Sequence, residues 1–380
     1  MQKLKAAVIG TGYIGPAHIE AMRRLGDVEV VALAEANQKV AEQKAQMLGI
    51  EKAYGDYKKM LEDNSIDVVH NCTPNHMHYQ VNCDILNTGK HVVSEKPLST
   101  SVADSAKLVK LAKKTGLVNA VNFNYRYYPL VQQAWAMVRN KALGDIFAVQ
   151  GCYMQDWLLY DTDWNWRLEP KFAGPSRAMA DIGSHWFDLI QFVTGKKIIR
   201  VFADLLTLHE YRKKPKCQIE TFAGKELKAS QYTKVKIDTE DHGHVLVQFD
   251  DGSKGMVCVS QVATGRKNHI VFELNGTKES LWWDHERPNE LKIGHRNQPN
   301  ESMFKDAVLM DEAVKDYAHY PAGHNEGYPT CVKNFCRNVY RHIKDRKLKI
   351  DFATFEDGLI ADKVVEAVLK SNKTGKWQAV

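Results

Sequence analysis

No apolar run in these 380 residues approaches the roughly 18 that a membrane-spanning helix requires, and no membrane partner is expected. The first strand-like run begins almost at once, with no charged, apolar and small-residue signal architecture before it, so secretion is not expected. Seven cysteines, an odd number without any C-x-x-C, read as free thiols in a reducing, cytoplasmic compartment. The excess of positive over negative charge is also small. Lys and Arg number 52 against 46 Asp and Glu, a net +6, and Lys213–Lys216 and Arg341–Lys349 read as solvated surface, so no nucleic-acid partner is expected. The chain has no repeats and no low-complexity linker. What it does have is 44% hydrophobic residues, enough for the cores of two generous domains.

The run Ala6-Ala7-Val8-Ile9 enters Gly10-Thr11-Gly12-Tyr13-Ile14-Gly15 and then a helical pattern ending near Leu25. This is the strand, G-x-G-x-x-G and helix order of a dinucleotide site. Gly10 allows the tight turn, Gly12 clears space for the pyrophosphate, and Gly15 lets the helix pack on the strand. The helix N-terminus offers free N–H groups to the phosphates. A second apolar run, Val28–Ala34, ends at Glu35, placed to bind the adenosine ribose hydroxyls. With no Arg beside Glu35, NAD is expected rather than NADP. The glycines lack the G-K-[ST] ending of a nucleoside-triphosphate loop, which disfavours phosphoryl transfer.

Short apolar runs at Asp67–Cys72, His91–Ser94 and Leu117–Val121 alternate with helix-length segments over the first 125 residues. That order predicts an α/β Rossmann domain with a doubly wound parallel sheet. Ligands then bind at the carboxyl ends of the strands, where Thr73-Pro74-Asn75, Glu95-Lys96-Pro97 and Asn122–Arg126 fall. Residues 126–380 read as an α+β domain. A helix over 129–141 precedes strand patterns at Phe147–Tyr153, Val201–Leu205, His244–Phe249, Gly255–Val262 and Ile270–Leu274, which predict an open, mostly antiparallel sheet. Helical patterns return at Glu326–Asp345 and Phe355–Ser371; the last can pack back on the first domain.

Gly10–Gly15, Thr73-Pro74-Asn75 with His78, Glu95-Lys96-Pro97, Asn122-Phe123-Asn124-Tyr125-Arg126, Trp166-Arg167 and Asp181-Ile182-Gly183-Ser184-His185 together resemble the ordered motifs of the glucose–fructose oxidoreductase, inositol dehydrogenase and rhizopine catabolism (Gfo/Idh/MocA) family. The resemblance spans essentially the whole chain. It implies an NAD(P)-dependent oxidoreductase acting on a sugar, polyol or related hydroxyl compound. It further implies cofactor contacts from Gly10, Gly12, Tyr13, Ile14, Gly15, Glu35, Thr73, Pro74, Asn75, His78, Glu95, Lys96, Asn122, Trp166 and Arg167, and a cis Lys96–Pro97 peptide. Association as a homodimer or homotetramer through the second-domain sheet is expected on the same ground.

The chemistry can be argued from the residues as well. Hydride transfer from a secondary alcohol needs a base near neutral pH to take the hydroxyl proton, and histidine titrates there. His185 lies four residues after Asp181 at the start of a helical run, so a carboxylate can orient the ring. Lys96, just past a strand end, can donate to the hydroxyl oxygen. The resemblance assigns Lys96 and His185 as catalytic and Asp181 as their assistant or a substrate ligand. Asp181 can equally cap the helix that follows it.

Substrate contacts are expected from Lys96, Asn124, Tyr125, Arg126, Asp181 and His185, from Trp157 and Trp164 in an aromatic segment suited to sugar rings, and from His324 in a polar loop. For the two tryptophans a purely structural cluster is an equal reading. His76/His78 and His242/His244 are pairs two apart, but neither brings a third ligand, so no metal is expected. Two alternatives accompany the dehydrogenase: an NAD-using glycosidase working through transient oxidation, and a non-catalytic NAD-binding regulator, which the presence of Lys96, Asp181 and His185 together disfavours.

Overall fold

A computed structural model describes residues 3–216 and 227–380. The chain forms two compact units, residues 1–127 with 328–362, and residues 128–327 with 363–380. The sequence patterns place one boundary after residue 125 and give 126–380 to the second domain, with the last helix able to pack back on the first. The return of residues 328–362 to the first unit is a long-range packing decision that no local pattern carries.

The first unit is built on β1 (Leu4–Ile9), β2 (Val28–Ala34), β3 (Lys52–Tyr54), β4 (Val68–Asn71), β5 (His91–Ser94) and β6 (Asn119–Val121), with α1 (Ile14–Arg23), α2 (Gln38–Leu48), α3 (Tyr57–Leu61), α4 (Asn75–Asn87) and α5 (Val102–Thr115) between them. The strands are parallel in the order β3-β2-β1-β4-β5-β6. All of β4 and the last four residues of β1 are buried. Burial on both faces explains why these strands read as continuous apolar runs. Local signals set the helix ends: Asn37 and Ser101 accept from Val40 N and Asp104 N at the starts of α2 and α5, and Gly49 and Gly116, with positive φ, end them. β6 begins at Asn119, two residues later than the apolar run, because Val118 N donates to the His91 ring.

The second unit opens with α6 (Pro129–Arg139), β7 (Ile146–Met154), α7 (Pro170–Ala173), α8 (Ser184–Thr194), β8 (Ile198–Leu206) and a separate ribbon of β9 (Tyr211–Pro215) with β10 (Tyr232–Lys236). It continues through β11 (His242–Phe249), β12 (Lys254–Ser260), β13 (His269–Gly276), β14 (Ser280–Asp284), β15 (Glu290–Gly294) and β16 (Glu301–Phe304). Its large sheet runs β16-β15-β14-β13-β7-β12-β11-β8, with β17 (Gln378–Ala379) added beside β8. Among the described residues of this sheet only β7 and β12 pair in parallel, so the mostly antiparallel reading holds. Burial alternates along β11 and β14. Leu246, Met256 and Trp282 remain exposed, as expected of a sheet with one open face.

α9 (Tyr328–Lys344) and α10 (Phe355–Thr374) follow. Tyr340 OH donates to Met22 Sδ on α1, Lys344 pairs with Asp27, and Arg126 meets Asp357 at 2.9 Å, which fixes the returning segment in the first unit. Among the described residues no helix is long and apolar enough to cross a membrane, and six cysteines are free thiols. Cys217 lies outside the described residues.

Candidate functional site

The carboxyl ends of the first-unit strands lie on one row. Ile9 is the register partner of both Ala34 and Asn71, Asn71 of Ser94, and Ser94 of Val121. The next residues continue the pairing. Gly10 N donates to Ala34 O, Glu95 N to Asn71 O and Asn122 N to Ser94 O. Register alone therefore brings the glycine turn, Glu35, Thr73, Glu95-Lys96 and Asn122 to a single edge, at the reversal of strand order between β1 and β4 where such sheets bind ligands.

The glycine turn is shaped for a phosphate group. A Cβ on Gly10 would lie 2.7 Å from Cys72 O, and one on Gly15 would lie 2.3 Å from Gly10 O, so turn and helix are in backbone contact there. A Cβ on Gly12 would meet nothing within 4 Å. That open space sits before the N-terminus of α1, where Tyr13 is exposed. Glu35 Oε1 accepts from Thr11 N and Thr11 Oγ1, which ties the acid to the turn.

Beneath this edge runs a buried polar chain that sequence reading did not find. Glu95 Oε1 accepts from Asn122 Nδ2 (2.6 Å) and pairs with His18 Nε2 (2.8 Å). His18 Nδ1 lies 2.7 Å from His70 Nδ1, and His70 Nε2 lies 2.9 Å from Tyr340 OH. Burial alone would push the Glu95 carboxyl up. The hydrogen bonds from His18 and Asn122 overcome it and hold the pKa down at about 2. Burial, and then the His18 ring, keep His70 well below the usual histidine value. With Asn122 Nδ2 committed to Glu95, its Oδ1 is left buried without a hydrogen-bond partner, a group that a bound ligand would satisfy.

His78 has both ring nitrogens on backbone carbonyls, Pro97 O at 2.6 Å and Thr73 O at 2.8 Å, and so clips the 73–75 turn to the Lys96-Pro97 turn. The Lys96–Pro97 peptide is cis. Asn124, Tyr125 and Arg126 form a buried turn, in which Asn124 Nδ2 donates to Cys331 Sγ and Arg126 is ion-paired with Asp357.

In the second unit, Asp181 lies in one wide π-type turn, Met179–Gly183, immediately before α8, on which His185 is buried with its ring 6.2 Å from that of Tyr153. Asp181 Oδ1 accepts from Arg167 Nε (3.1 Å) and Oδ2 from Gln261 Nε2 (2.8 Å). Gln261 is itself oriented: its Oε1 accepts from Arg177 Nη1, and the guanidiniums of Arg177 and Arg212 converge on Asp241, all three fully buried. Where this turn begins, Glu240 Oε1 accepts from Ser176 Oγ, Arg177 N and Met179 N. None of these supporting residues lies in a motif with Asp181. The faint signal was polar residues, Thr239-Glu240-Asp241 and Gln261, at the ends of strand patterns.

Arg167 stacks over Trp166 at 4.4 Å. Trp157 and Trp164 pack on a small cluster of Leu158, Leu168 and Ile237, and Trp157 Nε1 donates to Gln155 Oε1, which favours their structural reading. His324 is exposed, in a loop pinned by the buried Lys305–Glu326 pair.

Known families match this arrangement on both sides. One model, described as an oxidoreductase family with an NAD-binding Rossmann fold, covers residues 4–123, and the GFO/IDH/MocA C-terminal domain covers residues 131–282. The chain belongs to the Gfo/Idh/MocA oxidoreductase family. Levoglucosan dehydrogenase of Pseudarthrobacter phenanthrenivorans is 31% identical over 303 residues, 77% of this chain and 76% of that protein. An oxidoreductase domain protein from Kribbella flavida superposes with a TM-score of 0.90 at 28% identity, over all of both chains. A levoglucosan dehydrogenase solved with NADH and L-sorbose gives 0.90 at 26% identity, over all of this chain and 99% of its own. This member of the Gfo/Idh/MocA family is thus an NAD-linked oxidoreductase, and the open Gly12 turn, the Glu35 carboxylate and the unsatisfied Asn122 Oδ1 fit that cofactor.

Proposed function

We propose that the protein moves a hydride between a secondary hydroxyl of a sugar, polyol or cyclitol and nicotinamide, with Lys96 and His185 handling the hydroxyl proton. NAD supplies the hydride acceptor. Gly10, Gly12 and the start of α1 would hold its pyrophosphate, the unused Glu35 Oε2 its adenosine ribose, and Asn122 Oδ1 an N–H of its carboxamide. In the direction of oxidation, His185 takes the proton, and Asp181, fixed by Arg167 and Gln261, supports the charge the ring acquires. The Lys96 ammonium stabilises alkoxide character as the hydride departs. The observation that carries the reading is the single row of glycine turn, Glu35, Glu95-Lys96 and Asn122, together with a doubly anchored Asp181 four residues before His185. Anhydrosugars, in line with the levoglucosan dehydrogenase relative, join cyclitols and aldoses as first candidates.

A panel of anhydrosugars, cyclitols, aldoses and glycosides, assayed for NADH absorbance, tests the proposal. Net NADH with an alcohol supports it; glycoside cleavage without net NADH would replace it with redox-assisted hydrolysis. Lys96→Ala and His185→Ala should each lower turnover by about two orders of magnitude or more and leave the NAD dissociation constant nearly unchanged. Full turnover in both variants would reject the assignment.

A further inference from the structure

β11 and β12 carry a cluster that hydride transfer does not use. His242 and His244 are two apart on β11, so they project from one face, opposite the buried Gly243, Val245 and Val247. Cys258 is the antiparallel partner of His244 and stands on that face too. The two Nε2 atoms lie 3.2 Å apart, with the rings edge to face. One donor atom from each of the three residues lies within 4.8 Å of the other two. Spacing along β11 shows only the histidine pair; sheet register supplies the third donor.

These distances suit one ion. A tetrahedron with zinc bonds of about 2.0 Å to nitrogen and about 2.3 Å to sulfur has edges of about 3.3 Å between nitrogens and about 3.5 Å from nitrogen to sulfur. The histidine nitrogens already stand at the first value. With the three donor atoms within 4.8 Å of one another, an adjustment of at most about 1.3 Å at the Cys258 sulfur reaches the second. Two imidazoles and one thiolate are a donor set for a borderline transition cation and a poor one for magnesium or calcium.

We propose that His242, His244 and Cys258 bind a divalent cation of the zinc class, with water as the fourth ligand, clipping β11 to β12. As the sulfur–metal bond forms, the thiol proton leaves to solvent. The full-length protein, reduced and stripped with a chelator, is titrated with cobalt(II). The expected spectrum has tetrahedral d–d bands and a thiolate-to-cobalt charge-transfer band, both lost when zinc is added. Cys258→Ser should abolish the charge-transfer band and weaken zinc binding by more than about tenfold. His244→Ala, at an exposed position whose replacement leaves the core intact, should weaken it by a similar factor. An octahedral spectrum, a charge-transfer band surviving in Cys258→Ser, or unchanged zinc affinity in His244→Ala would overturn the proposal.

Discussion

At the edge of the six-stranded sheet, the residues singled out lie just past a strand end, and the register of short apolar strands brings them together. Around Asp181 the anchors come from elsewhere in the chain: Arg167 precedes it by 14 residues and Gln261 follows it by 80, held in turn by the Arg177–Asp241–Arg212 cluster. Backbone register makes the first arrangement, with the buried Glu95–His18 pair beneath it, and a cluster of buried charges makes the second. Backbone turns at strand ends tolerate a change in one side chain, whereas a buried ion cluster does not, because each charge left without its partner is desolvated and uncompensated.

The largest expected effect follows from that contrast. Asp241→Asn leaves two guanidinium groups facing one another in a region closed to water, and unfolding in urea should show a loss of about 3–5 kcal/mol. A loss under about 1 kcal/mol, the scale of a single neutral hydrogen bond, would mean that the two units do not differ in this way.

Next is a buried charge on the other side of the comparison. Burial raises the Asp362 carboxyl to about 7, despite hydrogen bonds from Ser105 Oγ and Ser99 N. A folded value above the unfolded one means that the proton is bound more tightly in the native state. Its contribution is full below pH 4 or so and is lost as pH rises to about 7. Asp362→Asn should therefore gain on the parent across that window, by on the order of 4 kcal/mol at pH 8. Thermal denaturation at several pH values reads it; parallel curves for the two proteins would show that Asp362 ionises freely in the folded state.

The smallest effect tests the backbone-built edge, where function should shift while stability stays put. Glu35→Ala with Ala36→Arg should move the NAD/NADP preference by about tenfold toward NADP. Titration of both cofactors with fluorescence detection is sufficient, and an unaltered ratio would take Glu35 away from the ribose.

What was legible in the sequence follows the same division. The Gly10–Gly15 turn, Glu35, Lys96 and Asn122 could be read because each is tied to a neighbouring strand, so a linear pattern encodes its place. Asp181 and His185 could be read as a pair because they share one turn and helix. Hidden from that reading were His18, His70 and Tyr340, since the chain they form with Glu95 closes over separations of 52 to 270 residues. Gln261 was hidden likewise, being one glutamine at the end of a strand until Arg177 fixes its amide. Trp157 and Trp164 were open to two readings because an aromatic residue in a polar segment looks alike whether it faces a sugar or a small core.

Local patterns in the chain were enough for the order of strands and helices, the dinucleotide turn and the family. These depend on propensity, periodicity and contacts a few residues apart. Long-range packing made residues 328–362 complete the first unit, fixed Asp181 between Arg167 and Gln261, and set Cys258 opposite His244. Each of these is a pairing between distant segments, chosen by which buried polar groups and apolar faces satisfy one another once the chain is compact.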